Sequence, residues 1–149
     1  MQLTNNFSLI ELTSSETAVR KGIDNTPSHE VVLNLKSLCE NVLQPLRDKY
    51  GKSINITSGY RSPKLNKAIG GSTTSDHCLG HAVDFTVPFE DYKEVFEILK
   101  GYNFDQLIWE FGTSTAPQWI HVSFRPSGNR RQVLKAYKNV IGQTKYQAI

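Results

Sequence analysis

Two histidines and one aspartate stand out in this sequence because their side chains are suited to binding a metal ion. His77 and Asp84 lie in the segment Ser75-Asp-His-Cys-Leu-Gly-His-Ala-Val-Asp84, and His121 lies in Gln118-Trp-Ile-His121-Val-Ser. Imidazole nitrogens and carboxylate oxygens suit Zn²⁺, and three protein ligands leave one tetrahedral position open for water, as in catalytic zinc sites. A closed structural site would need a fourth ligand, and the two cysteines are far apart in the chain.

The residues around Asp84 alternate in the manner of a β-strand with one buried face. In the segment 82–86, Val83 and Phe85 share one face and Asp84 lies on the other. The spacing alone is also typical of solvated or core histidines. A carboxylate on an otherwise apolar strand has a physical reason, however, when it binds a cation. The pattern therefore favours a metal site.

The same alternation separates the candidate histidines. If the strand begins at His81, that side chain points away from Asp84 and is the poorer ligand, whereas His77 in the preceding loop is the better one. His121 lies on the polar face of its own alternating segment. His29 lies at an apparent helix start and is expected to be solvated.

Several motifs resemble those of the zinc D-alanyl-D-alanine carboxypeptidase family, whose relatives include D-Ala-D-Ala dipeptidases, L-alanyl-D-glutamate endopeptidases of phage lysins and the hedgehog signalling domain. They occur in the family's order over about residues 7–125, as Ser58-Gly-Tyr-Arg61-Ser-Pro, Gly70-Gly-Ser-x-x-Ser75-x-His77-x-x-Gly80-x-Ala82-x-Asp84 and Trp119-x-His121-Val-Ser. The resemblance implies Zn²⁺ as cofactor, with His77, Asp84 and His121 as its ligands. It also implies peptidoglycan stem peptides as the substrate.

Peptide hydrolysis at a metal needs a base that accepts a proton from water. Several branches of the family use a glutamate three residues before the last histidine, but this position is Gln118 here, and an amide cannot act as the base. Glu110 is the alternative, because it would face the metal if Trp109 and Phe111 pack inward on a neighbouring strand. A solvated strand carboxylate is the competing interpretation of Glu110.

Four residues are candidates for contact with the substrate. The planar guanidinium of Arg61 suits a carboxylate or a developing oxyanion, and Arg61 is therefore also a catalytic candidate, although a surface ion pair is the simpler alternative. Ser75 either hydrogen-bonds the substrate backbone or caps its own loop. Gln118 and Trp119, which precede His121, are predicted to bind substrate.

Composition predicts one globular domain over residues 1–149. The chain is 38% hydrophobic and 21% charged, and its length allows a substantial core. The net charge of +3 permits contact with an anionic polymer. No basic-aromatic module indicates nucleic acid, no apolar run indicates a membrane span, and a monomer is expected. No signal peptide is visible, so we expect cytoplasmic synthesis with possible release to the cell wall.

Helical patterns followed by strand patterns predict an α+β fold, with a small, mostly antiparallel sheet carrying the zinc site and N-terminal and flanking helices around it. A short helical lead-in covers about residues 1–27, with a capping pattern at Ser8, and Thr26 is predicted to cap the next helix. Apolar spacing predicts a helix over 31–50 that is kinked at Pro45. Residues from about 126 to 149 are predicted to form a basic tail, in which residues 132–140 form either a last strand or a short helix.

The predicted activity is zinc-dependent hydrolysis of a peptide bond next to a D-amino acid in peptidoglycan stem peptides. The alternative is a non-catalytic zinc-fold domain that binds a cell-wall peptide or a protein partner. Gln118 at the position of the expected base favours the alternative, and Glu110 counts against it.

Overall fold

Six helices lie within the first two thirds of the chain, and the longest strands follow or separate them. The computed structural model describes all residues, 1–149. The helices are α1 (Leu9–Thr13), α2 (Glu16–Lys21), α3 (His29–Leu38), α4 (Gln44–Tyr50), α5 (Pro63–Ala68) and α6 (Tyr92–Lys100). The strands are β1 (Gln2–Thr4), β2 (Phe7–Ser8), β3 (Asn55–Ser58), β4 (Ala82–Thr86), β5 (Gln106–Glu110), β6 (Trp119–Ser123), β7 (Gln132–Lys138) and β8 (Thr144–Ala148). None of the helices has the length and apolar character needed to cross a membrane.

A six-stranded sheet in the order β3-β4-β6-β5-β7-β8 forms one layer of the α+β fold. Every neighbouring pair is antiparallel except β5 and β7, which run parallel. The prediction of a small sheet was wrong, because the basic C-terminal segment supplies β7 and β8 instead of trailing as a tail. All five residues of β8 are exposed, so backbone pairing with β7, and not burial, holds this strand.

The helices cover one face of the sheet and form the core with it. The core is one cluster of 27 buried residues. From the sheet it takes the side chains on the inward face, namely Val83, Phe85, Leu107, Trp109, Ile120 and Val122. From the helices it takes Leu35, Leu38, Leu46, Val95 and Leu99, among others. Side chains on the opposite face of the sheet, such as Asp84 and Trp119, line a cleft.

The long helical pattern is divided by a π-helical turn at Cys39–Leu43 that joins α3 to α4. Pro45, predicted to kink the helix, lies in the first turn of α4, where a residue without a backbone N–H is tolerated. The predicted capping residue Thr26 was wrong by two positions, because Ser28 accepts the hydrogen bond from the Val31 N–H. Ser8 caps α1 as predicted, accepting from the Glu11 N–H.

The N-terminal helices are tied to the loop after β3. The Asn25 side chain donates to the carbonyl oxygens of Thr13 and Tyr60 and accepts from the Ser62 N–H, at 2.7 to 3.1 Å. At the adjacent Gly59 an added Cβ would collide with the carbonyl oxygen of Leu12. The lead-in therefore packs directly on the loop that carries Arg61.

Candidate metal centre

Asp84 and His121 are direct partners across β4 and β6, so their side chains lie on the same, outer face of the sheet. Val83 and Phe85 point into the core on the other side, as the alternation predicts. His77 comes from a 3₁₀-helical turn, Asp76–Leu79, that immediately precedes β4. The three candidate ligands thus come from two neighbouring strands and the loop that leads into one of them.

The potential ligand atoms of His77, Asp84 and His121 lie within 4.8 Å of one another. Asp84 Oδ1 is 2.9 Å from His121 Nδ1 and 3.3 Å from His77 Nε2. Atoms bonded to a tetrahedral zinc ion at ~2.0–2.1 Å are about 3.3 Å apart, so the observed separations fit such an ion with little movement. The chemistry of the donor set, two imidazoles and a carboxylate, also fits.

The tautomer of His77 is determined by a backbone contact. Its Nδ1 lies 2.8 Å from the carbonyl oxygen of Gly59, which can only accept a hydrogen bond, so Nδ1 carries the proton and Nε2 keeps its lone pair for a metal. The side chain is almost fully buried. Ser75 accepts a hydrogen bond from the His77 N–H at 3.2 Å, which is the loop-capping role, and it also borders the cleft.

The ligands are electrostatically coupled. Burial alone would raise the pKa of Asp84, but the adjacent His77 and His121 imidazoles hold it well below its usual range. Burial would lower the pKa of His121, and the Asp84 carboxylate instead raises it. Without metal, Asp84 therefore stays ionised.

Arg61 contacts the carboxylate of Asp84, one of the three candidate ligands. Its Nη2 is 3.4 Å from Asp84 Oδ2, its Nε donates to Ser58 Oγ, and its Nη1 donates to Asn66 Oδ1. Only 15% of the side chain is exposed, so the predicted alternative of a surface ion pair does not describe it. Asn66, a buried residue of α5 that also donates to the Ser72 carbonyl oxygen, carried no recognisable signal in the sequence.

Glu110 lies on β5 opposite Trp119 of β6, on the same face as the three ligands and diagonal to His121. It is 7% exposed, and neither a hydrogen bond nor an ion pair perturbs its carboxyl group. Burial raises the pKa of Glu110 to about 7, with the charge of His121 opposing and that of Asp84 adding to the shift. A carboxyl group with this pKa can accept a proton near neutral pH.

The expectation that Trp109 and Phe111 both pack inward was half right. Trp109 lies in the core. Phe111 does not, because β5 ends at Glu110 and the chain turns with Phe111 in the left-handed region, at a φ of 59°. Its side chain lines the cleft, with its ring 5.7 Å from that of Trp119.

The residues predicted around the metal fall into two groups. His77, Asp84, His121, Arg61, Ser75, Glu110 and Trp119 all border one cleft of about 780 Å³. Gln118 does not line it: its side chain is exposed, and its backbone N–H donates to the Glu110 carbonyl oxygen. The sequence reasoning missed Phe111, Lys138, Thr144 and Tyr146, which complete the opposite wall.

Comparison with known proteins agrees with this arrangement. No curated protein matches the sequence. A family model described as Peptidase M15 matches residues 5–123, which include both metal-binding segments and Arg61 and end before β7. The match covers most of the chain and contains all three converging ligands. The chain therefore belongs to the peptidase M15 family.

Proposed function

We propose that this chain is a zinc-dependent peptidase that hydrolyses a peptide bond next to a D-amino acid in peptidoglycan stem peptides. Membership of the M15 family supports a metallopeptidase, and the motifs shared with zinc D-alanyl-D-alanine carboxypeptidases support the choice of substrate. The observation that carries the proposal is a buried, unpaired carboxyl group, Glu110, beside three converging metal ligands in an open cleft.

His77, Asp84 and His121 would hold the ion. When bound there, zinc supplies Lewis-acid polarisation of water and of the scissile carbonyl group. Glu110 accepts the proton of the attacking water and then donates it to the departing amine, a role that suits a buried carboxyl group without a hydrogen-bond partner. Arg61 holds Asp84 through Oδ2. Because a guanidinium has five N–H groups and three bonds engage it here, it also keeps donors for the substrate.

The position of Gln118 no longer favours a non-catalytic binding domain. That alternative depends on the absence of a base, since Gln118 occupies the position of the expected glutamate. Gln118 lies outside the cleft, whereas Glu110 on the neighbouring strand lines it together with the three candidate ligands. The geometry therefore supports catalysis.

Mass spectrometry of muropeptides incubated with the zinc-loaded protein tests the function. We expect products shortened by hydrolysis at a bond next to a D-amino acid, and no products with His77→Ala or His121→Ala. His29→Ala is the matched control, because His29 is exposed at the start of α3. Intact muropeptides after prolonged incubation with the zinc-loaded wild type would contradict the proposal.

A further inference from the structure

The C-terminal hairpin, β7 and β8, builds one wall of the metal cleft although it lies outside the region that matches the family. Leu134 and Lys138 from β7 and Thr144 and Tyr146 from β8 all line the cleft. Strand pairing places Trp119, Glu110, Ala136 and Tyr146 in one row across four strands. Directly paired residues point to the same face, so the hairpin extends the surface that carries the candidate base.

Lys138 is the available cation of this wall. Its Nζ donates to Thr144 Oγ1 at 2.7 Å and lies 5.3 Å from the centre of the Phe111 ring, and no carboxylate of the chain pairs with it. An ammonium group has three donors, so two remain free. Arg61, the other permanent cation in the cleft lining, is already engaged with Asp84.

Two aromatic side chains line the same cleft as Lys138. Phe111 adopts a left-handed backbone conformation, with a φ of 59°, that turns its ring into the cleft beneath Lys138. Such a conformation is unfavourable for a bulky residue and is found mostly at functional sites. Tyr146 lies in one row with Glu110 and Ala136 and also lines the cleft.

We propose that the β7–β8 hairpin forms a substrate subsite in which Lys138 binds a carboxylate group of the peptide substrate. This inference rests on the proposed function. Leu134 of β7 is level with His121, because both pair with Ile108, and Lys138 lies four residues farther along β7. Two strand spacings of ~4.8 Å and four residues of ~3.4 Å separate the backbones of Lys138 and His121 by about 17 Å. An extended peptide covers ~3.4 Å per residue, which places the recognised carboxylate up to about five residues from the scissile bond.

Calorimetric binding of three synthetic peptides tests the subsite. The parent is L-Ala-γ-D-Glu-L-Lys-D-Ala-D-Ala, and the other two carry an amide in place of either the D-Glu α-carboxylate or the C-terminal carboxylate. The host is the Glu110→Gln protein, so that the peptides stay intact. We expect one of the two amides to bind about three- to tenfold more weakly than the parent, the usual scale for a partly exposed charged contact.

Lys138→Met should remove that difference, and Lys138→Arg should keep it. Lys145→Met is the matched control, since Lys145 is an exposed lysine on the opposite face of the same hairpin and should leave the preference unchanged. Equal binding of all three peptides, or a preference that survives Lys138→Met, would overturn the subsite. If the preference behaves as expected but the wild type cleaves no muropeptide, the proposed function fails and the subsite stands.

Discussion

Asp84 connects the metal centre to its surroundings because its two carboxylate oxygens have different partners. Oδ1 lies next to His77 Nε2 and His121 Nδ1, while Oδ2 faces the Arg61 guanidinium. A carboxylate held from the far side by a cation keeps the near oxygen aimed at the ion, which is how partners of metal ligands tune affinity. Glu110, by contrast, has no such partner and is free to exchange a proton.

The first prediction at this scale concerns turnover. Glu110→Gln should keep zinc yet lower kcat by ~10²–10⁴-fold, because the amide fills the same space but cannot accept a proton. Steady-state hydrolysis of a stem peptide, together with metal analysis, measures both quantities. Glu97→Gln, at an exposed position on α6, is the control. Turnover within a fewfold of the wild type would assign Glu110 to structure.

The second prediction concerns how the free energy of unfolding changes with pH. Glu110 has a folded-state pKa of about 7 and an unfolded pKa near 4.5, so the folded protein binds more protons between these values. The metal-free wild type should therefore lose stability as pH rises through this window, by on the order of 2–3 kcal/mol from this group. Urea unfolding at pH 5 and pH 8 measures the free energy of unfolding of both proteins. Relative to the wild type, Glu110→Gln should be more stable at pH 8 than at pH 5. An equal pH dependence in both proteins would contradict it.

The third concerns Arg61. Lysine would keep the charge but could not contact Ser58, Asn66 and Asp84 together, because the fork of three nitrogens is lost. Arg61→Lys should weaken zinc binding ~10–100-fold, the usual effect of removing a partner of a metal ligand. Competition with a chelator gives the affinity, and Arg20→Lys at an exposed position of α2 is the control. Unchanged zinc affinity would mean that Arg61 serves the substrate alone.

Among the elements, α1 packs so closely against the loop after β3 that Gly59 has no room for a Cβ. The Tyr60 N–H donates to the Leu12 carbonyl oxygen, and the Gly59 carbonyl oxygen accepts from His77. One short loop therefore joins the N-terminal helix, the Arg61 position and a metal ligand. A displacement of this loop would disturb all three.

We expect Gly59→Ala to produce that displacement. The new Cβ would meet the Leu12 carbonyl oxygen, and such overpacking costs ~1–3 kcal/mol. Zinc affinity should fall at the same time, because the acceptor that orients His77 moves. Denaturant unfolding and chelator competition measure the two effects. Gly101→Ala is the control, since a Cβ there meets only the Ile98 carbonyl oxygen at 3.4 Å. Wild-type stability in Gly59→Ala would show that the loop yields freely.

In the whole molecule, the hydrophobic core and the candidate metal site lie on opposite faces of the sheet. The helices bury one face of the sheet in a single cluster of 27 residues, and the metal ligands lie on the other face. The fold is therefore expected to persist without the ion, while the ion adds stability by binding only the native state.

Metal removal tests this separation. Chelation should leave the far-ultraviolet circular dichroism unchanged and lower the melting temperature. Free zinc at 100 times its Kd should restore about 2.7 kcal/mol. Loss of secondary structure on chelation at room temperature would show that the ion is part of the fold.

The sequence by itself determined the three candidate ligands, the faces of β4 and β6, and most of the helices. These features depend on local periodicity: alternation along a strand decides which face a side chain takes, whatever the strand's neighbours are. Asp84 opposite Val83 and Phe85 was predictable for this reason, and so was the separation of His121 from Ile120 and Val122.

Only the tertiary structure decided between the two interpretations of Glu110 and added Phe111, Lys138, Thr144 and Tyr146 to the cleft. Glu110 lies beside the metal centre because β5 pairs with β6 in a particular register, and register is a non-local property. Phe111 faces the cleft because its backbone adopts a left-handed conformation directly after β5 ends. The alternating pattern of a strand does not predict such a turn. A last strand near residues 132–140 was one of the predicted alternatives, but its place in the sheet was not predictable, because backbone hydrogen bonds, which carry no side-chain pattern, attach β7 and β8 to the sheet and bring Lys138 to the cleft.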